Sequence, residues 1–483
     1  MKKKICLINF KYKVDIDFEQ KESLALGYLA GVLKENGYHV DIIDGQFERL
    51  DVNDIFQLLL KEKYDLIGIS LYDETRKYFE EFYTLFKNSK INTFLCLGGH
   101  FPTFSAKKLL KRFSKINAIV IGEGENTLLE IIQSLQDGLW KKVKGICYLE
   151  KDEIVNTGSR ELIKDLNNLS YPERYHYYSK VEDKNNFYAI ISASRGCYAN
   201  CSFCSIQSFY KKLIGKRLRI RNPIKVVDEI EHIVNTYGIT NFFFADDNFI
   251  ITNKIQSDWL DTFINEIKKR ELSIKFDMDC RVNDIDINLF KELKEVGLNS
   301  VFLGIESFNQ RVLNTLNKNV KVEENINAIL SLRKLRLNAV MGFIMFDMFT
   351  SIEEIRENLA VFDKIKYYLY FNYDRPVSSD WVSSILYLYN GTPILHTLQK
   401  DYPSLLIKND FGYSFKFKND KVNRFYSWLL QWKPTIRKMI QLDTLNFIKK
   451  ANNMSEKKYS RQLHKLSRNY MMLDRDIFIS ILD

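Results

Sequence analysis

Short apolar runs alternate with amphipathic stretches of helical length along most of this 483-residue chain. Nothing else in it constrains the fold so tightly. In residues 1–140 the runs are Lys4–Phe10, His39–Ile43, Leu66–Ser70, Thr93–Leu97 and Ala118–Ile121. Each is short and bounded by polar residues or glycine, as a strand buried on both faces should be. Between them, Leu24–Glu35, Ile55–Lys61, Lys77–Phe86, Lys107–Arg112 and Thr127–Leu135 have helical spacing. Such βα alternation predicts a doubly wound, Rossmann-like α/β domain, which takes ligands at the carboxyl ends of its strands. Three consecutive strand ends carry suitable residues: Ser70, then Gly98, Gly99, His100 and Thr103, then Gly122 and Glu123. Glycine admits a ligand close to the backbone, and hydroxyls can bond it; one glycine pair alone would mark only a tight turn. A hairpin near 145–155 and a polar linker containing Pro172 occupy residues 141–185 and mark a domain boundary.

The alternation resumes over residues 186–400. Strands are expected at Phe187–Ser192, Asn241–Ala245, Ile274–Met278, Ser300–Gly304, Ala339–Met345 and Tyr367–Tyr373. Helices are expected between them at Ile224–Asn235, Asp258–Lys269, Leu289–Val296, Ala328–Lys334 and Ile352–Phe362. Six βα units predict a partial (β/α)6 TIM-like barrel with function at the carboxyl rim of its strands. Asp246, Arg281 and Glu306 fall on that rim, as does a loop with three cysteines. Residues 401–483 read as mostly helical, with Trp428, Trp432, Met439 and Leu442 expected on one core-packing face.

The cysteines of that loop, Cys197, Cys201 and Cys204, have the spacing C-x3-C-x2-C. Three thiolates on one short loop can hold three irons of a 4Fe–4S cluster and leave the fourth open to a substrate or cofactor. Structural zinc would want four ligands, and no second CxxC or HxxxH follows at a suitable spacing. A disulfide would leave an odd cysteine. Cys6, Cys96, Cys147 and Cys280 are scattered, which points to a reducing, cytoplasmic setting. No run approaches the ~18 apolar residues of a membrane span. The apolar stretch after Lys4 soon meets Lys11 and Lys13, so it reads as a first strand and not a signal peptide. The net charge of +10 is modest for the length. With no aromatic-interleaved basic stripe, no nucleic-acid partner is expected.

Taken together these residues resemble the radical S-adenosylmethionine (radical SAM) superfamily. The hallmark is the cysteine spacing with Arg195-Gly196 before it and the aromatic Phe203 before the last cysteine. The segments Arg219–Pro223 with Val227–Ile230, Phe244–Phe249, Gly304–Ser307 with Lys318, and Gly391-Thr392-Pro393 are similar to later parts of the same core. The N-terminal half is similar to the cobalamin-binding domain that precedes this core in one large subfamily. The matching pieces are Leu26–Ala30, Asp65–Ser70, Gly98–His100 and Gly122–Glu125. Together the two resemblances cover about residues 1–400. The Asp-x-His-x-x-Gly of cobalamin-dependent mutases is absent, since Lys11–Asp17 contains no histidine. His100 is then either a substitute ligand or a loop-positioning residue. Phe346–Thr350 stands where many relatives have a Gly-x-Pro turn.

The resemblance implies a 4Fe–4S cluster on Cys197, Cys201 and Cys204, with S-adenosylmethionine (SAM) chelating the open iron. Reductive cleavage of SAM would give a 5′-deoxyadenosyl radical that abstracts hydrogen from unactivated carbon. It assigns SAM contacts to Phe203, Asp246, Arg281 and Glu306. Arg281 would match the SAM carboxylate bidentately, against a surface salt bridge. Asp246, or its neighbour Asp247, would accept from ribose, against loop capping. Glu306 would bond SAM or order the rim. Cobalamin contacts fall on Ser70, Gly98, Gly99, His100, Thr103, Gly122 and Glu123. With cobalamin, the implied reaction is methylation of an unactivated carbon or phosphorus in peptide or small-molecule biosynthesis. The alternatives are radical rearrangement, cyclisation or oxidation, and remotely a non-catalytic metal-binding module. A methylthiotransferase would carry a further N-terminal cysteine triad, which is absent. A cytosolic electron donor such as flavodoxin or ferredoxin is the implied partner.

Overall fold

The computed structural model describes residues 3–11, 21–250, 254–366, 383–451 and 456–482. The chain divides into two compact units. One comprises Met1–Tyr198, Ile206–Asp247 and Lys254–Lys275; the other comprises Ala199–Ser205, Asn248–Asn253 and Phe276–Asp483.

The first unit opens with the expected alternation: β1 (Lys4–Asn9), α1 (Leu24–Glu35), β2 (His39–Asp44), α2 (Val52–Leu60), β3 (Leu66–Ser70), α3 (Arg76–Asn88), β4 (Phe94–Gly98), α4 (His100–Arg112), β5 (Ala118–Val120) and α5 (Glu125–Gln133). The hairpin strands β6 (Ile146–Glu150) and β7 (Glu153–Asn156) pair antiparallel onto β5 and extend the same sheet. Its order is β2-β1-β3-β4-β5-β6-β7. β1 lies between β2 and β3, so the strand order reverses there, and ligands of open α/β sheets sit at that crevice. Every residue of β3 is buried, which explains why its sequence is continuous apolar rather than alternating.

Several helices start earlier than their periodicity predicts, among them α2 and those at Lys254–Lys269 and Val322–Lys334, and α4 does so by the most. Lys107–Arg112 is only the last part of α4, which begins at His100. Gly99 has φ 104°, a conformation that reverses the chain directly into the helix. Pro102 is tolerated because the first-turn N–H groups have no intrahelical partner. The linker packs on α1: a Cβ on Gly31 would lie 2.3 Å from Tyr171 O. The glycines of α1 thus admit the linker backbone.

After the one-turn α6 (Tyr175–Tyr178), the first unit continues with β8 (Tyr188–Ile191), β9 (Ser194–Arg195), α7 (Ser205–Lys211), β10 (Arg219–Ile220), α8 (Pro223–Tyr237), β11 (Asn241–Phe244) and α9 (Lys254–Lys269). β8 and β11 are parallel. Asn222 caps α8, Pro223 occupies its first turn and Gly238 closes it in the left-handed conformation, which is the expected chemistry of both ends.

The second unit supplies β12 (Lys275–Arg281), α10 (Ile287–Glu295), β13 (Leu298–Glu306), α11 (Gln310–Thr315), α12 (Val322–Lys334), β14 (Asn338–Phe343) and α13 (Ile352–Lys364). β12, β13 and β14 pair in parallel. Five βα steps of the partial barrel are therefore described. The expected strand at 367–373 lies outside the described residues. Then come α14 (Pro393–Asp401), the hairpin β15 (Leu406–Lys408) and β16 (Tyr413–Phe415), and the long helices α15 (Asp420–Ala451) and α16 (Glu456–Leu482).

The face expected to pack α15 is corrected. Trp428, Trp432 and Met439 are exposed, and the side chain of Leu442 lies outside the described set. Phe425 and Tyr426 instead meet Phe346, with ring centroids 6.2 and 5.0 Å away, and Phe478 of α16 packs on Phe425 at 5.0 Å. These rings bury edge and face contacts, while the tryptophans lie against each other at 5.4 Å. No described helix is long and apolar enough to cross a membrane.

Candidate functional site

A cavity of about 300 Å³ opens over the carboxyl ends of the N-terminal strands. Its floor is apolar, formed by Leu7 of β1, Ile69 of β3, Leu97 of β4 and Val120 beyond them. Ser70, Gly98, Gly99, His100, Gly122 and Glu123 line it, as their strand-end positions predict. Thr103 does not line it. Its hydroxyl donates to Gly99 O at 2.8 Å and accepts from Gly122 N at 3.1 Å, tying two strand ends together. His100 stacks flat on Phe209 of α7, with centroids 4.1 Å apart and planes 4° from parallel. Burial pushes its imidazole down to about 4, so the ring is neutral at physiological pH. Residues 12–20, which include most of the segment without histidine, lie outside the described residues.

The opposite wall comes from the segment leading into the cysteines, from α7 just after them and from the end of β11. Ser192, Ser194, Arg195, Ile206, Phe209, Tyr210 and Asp247 all face the cavity. Arg195 donates to Glu123 at 3.1 Å and to Glu125 at 2.6 Å, and its guanidinium lies 5.1 Å from the centre of the Tyr28 ring. Arg219 meets the second oxygen of Glu123 at 2.9 Å, and Ile163 N donates to that oxygen as well. Burial opposes the charge on Arg195, yet the two carboxylates hold its pKa above the ordinary value. Glu123, assigned by the resemblance to a cofactor, has its carboxylate engaged by these groups. Arg195 was legible only as part of the cysteine motif; Tyr28 and Glu125 carry no separate signal, although both sit in matched segments.

The Asp pair divides its roles. Asp246 is buried and accepts from Ala193 N at 3.0 Å and from the Ser194 hydroxyl. Burial pushes its carboxyl up to about 6, against those two bonds. Asp247 is open to the cavity and accepts from Gly196 N at 3.0 Å. Burial raises it also, to about 6, against the bond from Gly196 N. Gly196 has φ 87°, and a Cβ there would sit 2.3 Å from Arg217 O; only glycine fits. The next residue, Cys197, has its carbonyl held by Gln207 Nε2 at 2.6 Å.

In the second unit, Cys201 is buried, and Phe203 and Cys204 are half-buried. Ser202 N donates to Leu316 O at 2.8 Å, and Ile394 N donates to Ser202 O at 3.0 Å. The Gly391-Thr392-Pro393 turn thus seats the loop. Arg281 donates to Cys201 Sγ at 3.1 Å and to the carbonyl of Lys318. The guanidinium fixes the position of that sulfur within the loop. Glu306 has φ 62°, uncommon for a residue with a side chain, and pairs with Lys318 Nζ at 2.8 Å. The pair lies over Gly304, where a Cβ would come 2.5 Å from that nitrogen. Among the described residues, no three His, Cys, Asp or Glu side chains are gathered at metal-binding distance. The fit to a cluster is in donor type and spacing: three thiols on one loop, one beside a fixed cation.

Comparison with known proteins agrees with both halves. The family model for the B12 binding domain matches residues 20–132, and that for the radical SAM superfamily matches residues 191–360. An uncharacterized methyltransferase of Pyrococcus horikoshii is 30% identical over 350 residues, covering 71% of this chain and 73% of the relative. An anaerobic magnesium-protoporphyrin IX monomethyl ester cyclase of Cereibacter sphaeroides is 30% identical over 336 residues, covering 66% of this chain and 53% of the relative. The chain therefore spans about half of that cyclase. The fold is shared with OxsB, a cobalamin-dependent S-adenosylmethionine radical enzyme solved with aqua-cobalamin. The TM-score is 0.79 at 21% identity, over 99% of this chain and 72% of that one.

Proposed function

The chain belongs to the radical SAM superfamily, in the branch with a B12-binding domain, and from that premise we propose that it methylates an unactivated carbon or phosphorus of a peptide or small molecule. Its cofactors are a 4Fe–4S cluster, SAM and cobalamin. One observation carries the reading. A single cavity is walled on one side by strand ends of the B12-binding segment and on the other by the residues leading into Cys197. An apolar floor edged by glycines and hydroxyls suits a broad ring with polar substituents. When bound, the cluster supplies one-electron cleavage of SAM and hydrogen abstraction, and cobalamin supplies the methyl group.

The chain's own residues hold and orient. Cys197, Cys201 and Cys204 are the cluster ligands, with Arg281 donating to Cys201 Sγ. Phe203, Asp246, Arg281 and Glu306 form the SAM set, with Asp246 acting through the Ala193–Ser194 turn. Ser70, Gly98, Gly99, His100, Gly122 and Glu123 line the cobalamin side of the cavity, the Glu123 carboxylate held by Arg195 and Arg219, while Thr103 braces that wall from behind. Identity to the cyclase favours one second reading, a radical cyclisation, rearrangement or oxidation without methyl transfer.

The test is anaerobic reconstitution of the full chain with iron and sulfide. Iron uptake near four per chain is expected, with 5′-deoxyadenosine formed on adding dithionite and SAM, and hydroxocobalamin co-eluting in gel filtration. Zinc at full occupancy in place of iron would sink the radical reading. Loss of cobalamin on the column would remove methyl transfer and leave the second reading.

A further inference from the structure

The segment entering the cysteine loop is tied to the cavity rim at several points. Arg195 lies two residues before Cys197 and uses both terminal nitrogens on the rim, one on Glu123 and one on Glu125. Both carboxylates are nearly buried, at 9% and 7% side-chain exposure. Gly196 is fixed by Asp247, and the Cys197 carbonyl by Gln207 of α7. The same helix sends Phe209 onto His100. Three of these residues, Arg195, Asp247 and Phe209, also face the cavity. A group filling the cavity therefore presses on the side chains that set the backbone at Cys197.

From this geometry we propose that Arg195 is a positioning residue that couples the two metal cofactors, so that cluster assembly on the cysteine loop tightens cobalamin binding in the cavity. The inference rests on the cofactor set proposed above. The physical basis is shared ordering. A cluster ligated by Cys197 fixes the backbone on which Arg195 sits, and Arg195 then holds Glu123 and Glu125 in place before cobalamin arrives. Ordering already met by one ligand is not met again by the second. Such coupling is reciprocal: cobalamin must stabilise the assembled cluster by the same factor. Paired, charge-assisted bonds from a planar guanidinium give the connection its geometry, which an ammonium cannot reproduce.

The experiment measures hydroxocobalamin affinity of the full chain by absorbance titration, once with the cluster reconstituted and once after chelator stripping. Wild type should bind roughly five-fold or more tightly with the cluster present. Arg195→Ala should bring that ratio to about one while still taking up iron. Glu125→Gln, a milder change on the partner side, should lower the ratio too, and Arg195→Lys should restore only part of it. The spectroscopic signature follows: the electron paramagnetic resonance signal of the reduced cluster should change on adding cobalamin to wild type, and not in Arg195→Ala. A wild-type ratio of one, or a full ratio retained in both Arg195→Ala and Glu125→Gln, overturns the coupling with the cofactor reading intact. Failure of wild type to bind cobalamin in either state overturns the cofactor reading, and the coupling with it.

Discussion

Glu229 of α8 is a carboxylate whose loss should cost the first unit heavily. It is 3% exposed and takes Arg174 and Arg221, each at 2.7 Å. Arg174 also reaches Glu22 at 2.6 Å, and Glu22 accepts from Tyr178 Oη and from Ile190 N, both at 2.7 Å. Two carboxylates thus balance two guanidiniums with almost no solvent. In Glu229→Gln, Arg174 keeps Glu22, but Arg221 keeps only the Ser192 carbonyl at 2.7 Å. The orphaned charge, and not the lost hydrogen bond, sets the magnitude. A hydrogen bond alone is worth ~1 kcal/mol, whereas unpairing a buried ion costs ~3–5 kcal/mol. At ~2–4 °C per kcal/mol for a unit of this size, the melting temperature should fall by roughly 6–20 °C.

Calorimetry of the full chain at pH 7 measures this fall. The control is Glu231→Gln, which breaks a pair with Arg270 at 2.8 Å whose acid is 38% exposed; such pairs are worth ~0–1 kcal/mol. Adding Arg221→Met to Glu229→Gln should recover part of the loss, because it removes the unpaired charge. The pH dependence has a fixed sign. Burial alone would raise the Glu229 carboxyl, but Arg174 and Arg221 overcome it and hold the pKa below the ordinary value. Its contribution is therefore present above about pH 4.3 and is lost in stronger acid, so the deficit of the variant should shrink there. Equal shifts for Glu229→Gln and Glu231→Gln would refute the reasoning.

Three further outcomes are expected. Asp246, raised by burial to about 6, stabilises the fold most below about pH 4 and loses that contribution as pH rises towards 6. The stability of wild type relative to Asp246→Asn should fall by about 2 kcal/mol between pH 4 and pH 7 in urea melts; a flat difference would show that the carboxyl is not desolvated. Cys201→Ala should reduce 5′-deoxyadenosine formation to background, and retained cleavage would remove Cys201 from the cluster. Gly31→Ala should destabilise by ~1–3 kcal/mol through overpacking against Tyr171 O, although alanine favours a helix by ~1 kcal/mol; a more stable variant would show that the linker yields.

What was legible in the sequence follows from which forces are local. Buried parallel strands need unbroken apolar runs, so β1 to β5 and the strand ends Ser70, Gly98 and Gly122 could be read directly. The start of α4 could not, because a helix opening Gly-His-Phe-Pro looks like a turn until Gly99 is known to have positive φ. The exposed Trp428 and Trp432 mislead for a related reason: hydrophobicity marks what can be buried, and the rings that meet Phe346 are others. Glu123 shows the limit for site residues. Its position on a strand end is local, but its partners Arg195 and Arg219 lie 72 and 96 residues away. No spacing rule predicts that a carboxylate facing a cavity is already engaged.

That engagement decides what the cavity can hold. Glu123, Glu125 and Asp247 would by themselves make an acidic pocket suited to a cation. Two of the three charges are cancelled by Arg195 and Arg219, which come from the segment around the cysteines, while Asp247 accepts the Gly196 N–H. The acids at 123 and 125 come from the B12-binding segment and the bases from the radical SAM segment. Either half alone would present its buried charges unpaired, at several kcal/mol per ion. The apolar floor comes from the N-terminal sheet, and the rim around it is near-neutral only where both segments meet. Small residues at the strand ends leave the cavity open, and the polar groups facing it include Ser70, His100 and Asp247. Charge neutralisation is thus what turns two sequence motifs into one site.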